Sequence, residues 1–284
     1  MRRPAFSLVV NHTPWVPERV AALEAMRNLL GLKGNAVADA RSWGLVATKT
    51  NARDFRGTDW QVSKVLWALD QWRWAAGVKP AGLPAPTHHV FMTDDLHIIE
   101  PQNDGSGHFW QVLNAMVEAV PDGILGLLSN HPAAPRLALE GQRWYRTNSW
   151  LVGPCYVLPH KHLMRFLEYF EALPPGNKQD GQIGYRNDDS SLNEWITGRG
   201  GPGETYHPLP TIIEHRNDIG STVGHGDEFS LERVSWRTIR TATKDETGTI
   251  HWSASAWNAP TPREMTSADF WAGASTAPLL NVGG

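Results

Sequence analysis

Asp94 and Asp95 stand side by side at the end of the apolar run Val90-Phe91-Met92-Thr93, and His97 follows before Ile98-Ile99. Adjacent carboxylates at a strand end repel each other and lose hydration when buried, so a cation or hydrogen-bond donors must offset that cost. A hard divalent ion, held by one or two carboxylates and the oxygens of a diphosphate, would do so. The competing reading is a strand running into an Asp-rich turn, since Asp is common where strands stop. A second acidic pair, Asp188-Asp189, precedes Ser190-Ser191-Leu192. A carboxylate there can take a proton from a hydroxyl, or it can simply cap a helix, as Ser190 also could. His215 follows Thr211-Ile212-Ile213 between Glu214 and Arg216. At a sheet end it would meet a ligand; otherwise it is a polar surface residue. His207 is the runner-up for the same role.

The remaining composition narrows the class. The length of 284 residues suffices for one large α/β domain or two small ones. No apolar run approaches the roughly 18 residues of a bilayer span, and Ala5 to Val10 is too short for a signal-peptide core. A membrane partner is therefore not expected. Cys155 is the only cysteine, which excludes an intrachain disulfide and a cysteine-rich zinc site and suits a reducing cytoplasm. A net charge of −3 supplies no global basic field for coating nucleic acid, but it leaves room for a locally basic groove. Arginine makes up 19 of the 26 basic residues, and its planar fork suits phosphate and carboxylate. The 14 tryptophans fill core volume, although indoles also stack on sugars and bases.

Elements must hold these residues in place. Phe6 to Val10 reads as a buried strand, and Asn11-His12-Thr13-Pro14 as a loop into a helix with Pro17 near its start. That helix has Val20, Leu23, Met26 and Leu30 on its apolar face, and Gly31 stops it. Short strands are expected near Asn35 to Ala38 and at Gly44 to Ala47. Trp60 to Ala76 is a helix with Val62, Val65, Leu66, Leu69 and Trp72 on one face and Trp60, Trp67 and Trp74 on a second. Helices are also expected over Phe109–Val120, His162–Leu173 and Asp189–Ile196. Strands are expected at Ile124–Leu128, at Trp150–Leu158 with a bend at Gly153-Pro154, and at Thr211–Ile213. The Gly198–Gly203 loop lacks the Lys-Ser/Thr ending of a P-loop. It is either a mobile loop that closes over a ligand, with Arg199 on a phosphate, or an ordinary exposed connection. After Glu232 the chain is polar and reads as a hairpin or extended arm. Alternating strand and helix predict an α/β sandwich around a largely parallel sheet.

A first strand ending in a loop before a helix, then Phe91-Met92-Thr93-Asp94-Asp95, then Arg186-Asn187-Asp188-Asp189-Ser190-Ser191-Leu192, then His207 to His215 form a set. This set resembles metal-dependent glycosyltransferases of the GT-A type, particularly phage-encoded members, over about residues 5 to 225. The resemblance implies a Rossmann-type α/β/α sandwich with a mostly parallel central sheet over residues 1–230. Residues 231–284 would be an extension packing on or covering it. It implies a nucleotide-sugar donor, UDP-linked, and a divalent ion, manganese or magnesium, on its diphosphate. Asp95, His97 and His215 would hold the metal, and His12, Thr13, Asp94 and Arg199 the nucleotide. Asp189, with Asp188 second, would be the base. One departure is Thr93 at the position two before Asp95, so the strict Asp-x-Asp spacing is absent. Either Asp94 takes the ribose or metal role, or Asp95 and His97 share the metal.

The expected activity is sugar transfer to an acceptor hydroxyl, in first place the hydroxymethyl group of a modified pyrimidine in phage DNA, in the cytoplasm of an infected bacterium. Abundant arginine and tryptophan suit a duplex contact and a flipped base, whereas the acidic net charge counts against DNA. Alternatives are glycosylation of a virion protein or glycan, or a carbohydrate- or nucleotide-binding module without catalysis. A nucleotidyltransferase would need a Gly-rich phosphate loop after the first strand, where this chain has Asn11-His12-Thr13-Pro14.

Overall fold

The computed structural model describes residues 3–34, 36–54, 60–98, 109–128, 137, 142, 144–148, 154–173, 188–198, 200–209, 211–216, 219 and 263–264. In chain order these form β1 (Phe6–His12), α1 (Pro17–Leu29), α2 (Ala36–Ser42), β2 (Leu45–Ala52), α3 (Trp60–Gly77), β3 (His88–Thr93), β4 (Leu96–Ile98) and α4 (Phe109–Ala119). There follow β5 (Leu125–Gly126), β6 (Trp144–Thr147), β7 (Cys155–Pro159), α5 (His160–Ala172), α6 (Asp188–Gly198), β8 (Thr205–Pro208), β9 (Ile213–His215) and β10 (Arg263–Glu264). Eight strands make one sheet in the order β10-β6-β8-β5-β7-β3-β1-β2, and β4 pairs with β9 in a separate ladder.

The sheet is mixed. β2, β1 and β3 run parallel, and helical crossovers join them, as parallel neighbours require. β7 runs against both β3 and β5, and β6 against β8. β5 with β8 and β6 with β10 are again parallel. The expectation of a largely parallel sheet therefore holds for the three core strands that carry the first loop and the Asp pair, and beyond β3 parallel and antiparallel pairings are mixed.

All seven residues of β1 are buried, as in a strand covered on both faces. Phe6, Leu8 and Val10 pack with Leu23 and Met26 of α1 and Trp110 and Leu113 of α4. Val9 faces the other way, toward Ala68 and Trp72 of α3, Phe166 of α5 and Trp195 of α6. The result is an α/β/α sandwich. Trp72 meets the rings of Phe166 and Phe170 edge-on at 4.7 and 4.9 Å, and truncating such a buried indole costs about 3–5 kcal/mol.

Three local expectations need correction. The segment near Ala36 to Ala38 is the start of α2, not a strand, since alanine is the strongest helix former and Val37 alone does not outweigh it. The buried face of α1 is Arg19, Ala22, Leu23 and Met26, while Val20 is 40% exposed. The helix is thus rotated so that an arginine enters the apolar stripe. On α3, Leu66 is exposed, while Ala68, Trp72 and Ala75 are buried. Trp67 and Trp74 of its second stripe meet β2: Trp67 Nε1 donates to the Asn51 carbonyl at 2.6 Å, and the Lys49 ammonium lies 6.0 Å from the Trp74 ring centre. Among the described residues no helix is long and apolar enough to cross a membrane. Apart from β10, residues 231–284 lie outside the described residues.

Candidate functional site

The parallel strands β1 and β3 end side by side, Asn11 opposite Thr93. Their carboxyl ends therefore deliver His12-Thr13 and Asp94-Asp95 to one place, where open α/β sheets collect ligands. Pro17 starts α1 immediately beyond the first loop, with its φ already suited to the first helical turn. One turn of helix then carries Arg19 back over the strand ends.

Asp94 is completely buried and richly bonded. Its Oδ1 accepts from Arg19 Nη1 at 2.5 Å. Its Oδ2 accepts from the Thr13 backbone N–H at 2.8 Å and the Thr13 hydroxyl at 3.1 Å, and lies 2.8 Å from His12 Nδ1. Asp95 takes the other arm of the same guanidinium, Arg19 Nη2 to Oδ2 at 2.9 Å, and accepts the Thr93 hydroxyl at 2.5 Å. Arg19 is 5% exposed, Asp94 0% and Asp95 7%, so the cation and both anions are withdrawn from water together. A guanidinium forked across two carboxylates is the geometry that makes such burial tolerable. Within the protein, then, Arg19 supplies the cation that the acidic pair calls for.

A layer of amides lies one residue deeper. Asn11 Nδ2 donates to Gln71 Oε1 at 2.7 Å, and Asn51 Nδ2 donates to Asn11 Oδ1 at 3.1 Å and to the Trp67 carbonyl at 3.1 Å. These bonds tie β1, β2 and α3 together beneath the loop. Buried amides are well placed only when their hydrogen bonds are made, and here they fix the depth at which His12 leaves the sheet.

The sequence-selected residues divide clearly. His12, Thr13, Asp94 and Asp95 come together. His97 is exposed in the middle of β4, between buried Leu96 and Ile98. In the β4–β9 ladder His97 pairs with Glu214 and Leu96 with position 215. Because strand positions alternate between faces, positions 97 and 215 fall on opposite faces of this ladder. Asp188 and Asp189 open α6. Arg199 lies outside the described residues. The glycine loop after α6 is bonded back to the helix: the Gly201 N–H donates to the Trp195 carbonyl at 3.0 Å and the Gly203 N–H to the Ile196 carbonyl at 2.8 Å. A Cβ at Gly201 would come within 2.4 Å of the Trp195 carbonyl oxygen, and Gly200 and Gly203 have φ of 103° and 85°. This loop is a helix C-terminal cap.

His207, the runner-up ligand, is a core residue. It is fully buried, stacks on Tyr145 with ring centres 5.1 Å apart, and bonds to the Thr205 hydroxyl and the Leu128 carbonyl. Burial pushes its pKa down to about 4.

Sequence reasoning missed Arg19, Asn11, Asn51 and Gln71. One signal was available for Arg19: it stands three, four and seven residues before Ala22, Leu23 and Met26, on a stripe that should be apolar.

A divalent ion can be tested against this geometry. Asp94 is engaged on both oxygens, and Arg19 fills the gap between the two carboxylates. Asp95 is engaged on both oxygens as well, by Arg19 and by the Thr93 hydroxyl, and at 7% exposed it is the less enclosed of the two carboxylates. One carboxylate together with phosphate oxygens is an ordinary magnesium site, and Asp95 is the carboxylate of this cluster to which that arrangement would apply. Among the described residues no three His, Cys, Asp or Glu side chains converge as a ready-made set. Compared with known proteins, the chain matches no family model and no curated sequence.

Proposed function

We propose that this protein is a nucleotide-sugar-dependent glycosyltransferase of the GT-A kind, with its donor seated at the carboxyl ends of β1 and β3. The observation that carries this reading is the convergence of the first strand-to-helix loop with Asp94-Asp95 around Arg19. A site of that form offers a buried, prearranged set of polar groups on rigid elements, as electrostatic catalysis needs.

In the transfer, the acceptor oxygen attacks the anomeric carbon while the bond from that carbon to the diphosphate oxygen breaks. The electron pair leaves on UDP, and the acceptor proton passes to a base. Asp189, in the first turn of α6, is the base in this scheme, with Asp188 second. Asp95 would hold a manganese or magnesium ion, which when bound offsets the charge developing on the diphosphate. Arg19 keeps Asp95 in place and presents a fixed positive charge beside it. Asp94 shapes the His12-Thr13 loop against which the nucleotide would lie. The favoured acceptor is the hydroxymethyl group of a modified pyrimidine in DNA.

The test is incubation of the full chain with manganese and a panel of UDP-, GDP- and CDP-sugars, reading nucleoside diphosphate release, with and without DNA containing hydroxymethylcytosine. UDP release with a hexose mass gain on the modified nucleoside is expected. Release without that gain would overturn the acceptor, and no release from any donor would overturn the transferase.

A further inference from the structure

β2 is the edge strand of the sheet, and the helical layer on its α1 side covers it only in part. Leu8 and Val10 of β1 are buried, yet their register partners on β2, Thr48 and Thr50, are exposed. Directly paired residues share a face of the sheet, so the covering layer stops between the two strands. Helix length explains why. The seven residues of α2 span about 10 Å, whereas the eight of β2 span about 26 Å. On this face only Leu45, at the start of β2, is as buried as its partner on β1.

The uncovered ground is a cavity of about 150 Å³ bordered by β2, β1, the last turn of α1 and α2. Leu8, Val10, Leu45 and Val37 give it an apolar wall. An apolar cavity of about that volume holds a benzene ring.

The charge around it has one sign. Arg27 and Arg41 line it from the ends of α1 and α2, and among the described residues no acidic side chain does. Lys49 borders it too, but Lys49 pairs with Val9 on the opposite face, and its ammonium lies beside Trp74. A helix end favours a cation whatever lies nearby, so the positions of the two arginines alone call for no ligand. Their lack of partners does. Glu24, three residues before Arg27 and within reach along α1, is paired with Lys33 instead, and neither guanidinium has an ion-pair partner among the described residues. Thr48 and Thr50 also line the cavity, and their hydroxyls supply further donors. Planar forks beside an apolar wall match a carboxylate on an apolar body.

We infer that this cavity is a second binding site, for a small organic acid whose ring or branched chain lies on Leu8, Val10 and Leu45 and whose carboxylate is held by Arg27 and Arg41. None of His12, Thr13, Arg19, Asp94 and Asp95 lines it, so the inference does not rest on the transferase reading.

The test is a methyl NMR titration of the full chain, without nucleotide or metal, at constant ionic strength. The probes are benzoate and isovalerate, the uncharged benzyl and isoamyl alcohols of matching shape, and inorganic phosphate. Saturable shifts of the Leu8, Val10 and Leu45 methyls are expected with at least one of the two acids. The matching alcohol should bind about 10-fold or more weakly, the range for losing a charge-assisted hydrogen bond, and phosphate should bind more weakly than the acid. Arg27→Gln and Arg41→Gln should each weaken the acid by a similar factor and leave the alcohol unchanged. Shifts with neither acid would overturn the inference, as would an alcohol that binds as tightly as its acid. Phosphate binding as tightly as the acid would reduce the site to a pair of arginines and overturn the organic ligand. Acid affinity unchanged in both variants would overturn the role of the arginines. The comparison of acid with alcohol in wild type decides the matter even if a variant fails to fold.

Discussion

The same two strands carry a polar cluster at each end, and the two clusters are built on opposite terms. At the amino end, Ser7 Oγ lies 2.7 Å from His89 Nδ1, and His89 Nε2 lies 2.9 Å from His160 Nδ1. Nearby, His88 Nε2 bonds to the Pro121 carbonyl and His162 Nε2 to the Asp122 carbonyl. Burial drives the pKa of His88 and His162 down and that of His89 down to about 3. His88, His89 and His162 are neutral structural links. At the carboxyl end, two carboxylates and a guanidinium are buried as ions, with His12 alongside. A neutral hydrogen-bonded chain needs only its partners, whereas buried ions need a matched counter-charge and a fixed geometry. The costly arrangement sits where parallel strands open toward a ligand, which is why function is assigned to that end.

The largest effect should come from removing the shared cation. Arg19→Met leaves two buried carboxylates uncompensated, and breaking a buried pair from one side costs about 3–5 kcal/mol. His89→Gln at the other end removes only neutral bonds and should cost about 1–3 kcal/mol. Urea unfolding of both variants at pH 7 tests this ordering, and an equal or reversed cost would break the contrast between the two ends.

A second variant sharpens the functional half. Asp189→Asn keeps the side chain's size and capping ability, so a fall of about 10²-fold in turnover with an unchanged UDP titration midpoint would mark it as the base. Activity retained in Asp189→Asn but lost in Asp188→Asn would move that role by one residue. Activity retained in both would place it elsewhere.

The smallest effect is the pH dependence of the neutral histidines. The folded-state pKa values of His89 and His207, about 3 and about 4, lie below the unfolded value of 6.5. Between those limits the unfolded chain binds more protons, so this stability is fully present above about pH 6.5 and is lost as the pH falls toward 4. From pH 7 to pH 5.5 each ring should remove about 1 kcal/mol. His89→Gln should therefore show a shallower decline than wild type in urea unfolding at the two pH values. Identical slopes would mean that His89 is not held neutral.

Much of the scaffold was legible in the sequence because its cues are local. Phe6 to Val10 is continuously apolar, and the periodic faces of α4 and α5 stand out in their windows. The resemblance sets His12, Thr13 and Asp94 on one nucleotide, and their meeting follows from two parallel strands ending at one edge. The short strands β4, β6 and β8 carry too few residues for a period, and the reversal at β7 is a matter of pairing, which no local pattern encodes. Arg19 escaped because a charged residue lowers the apolar score of the helix face it belongs to. Its role becomes visible only when the acidic pair from β3 is set against it.

The central claim is a donor site at Asp95, and thermal unfolding of wild type and Asp95→Ala with UDP-sugar, with and without manganese, tests it most directly. The account predicts that the donor raises the wild-type melting temperature, more so with manganese. Asp95→Ala should keep a cooperative transition of its own while losing the manganese-dependent increment and turnover. A wild type indifferent to every sugar nucleotide, or an Asp95→Ala variant that responds and turns over as wild type does, would contradict it.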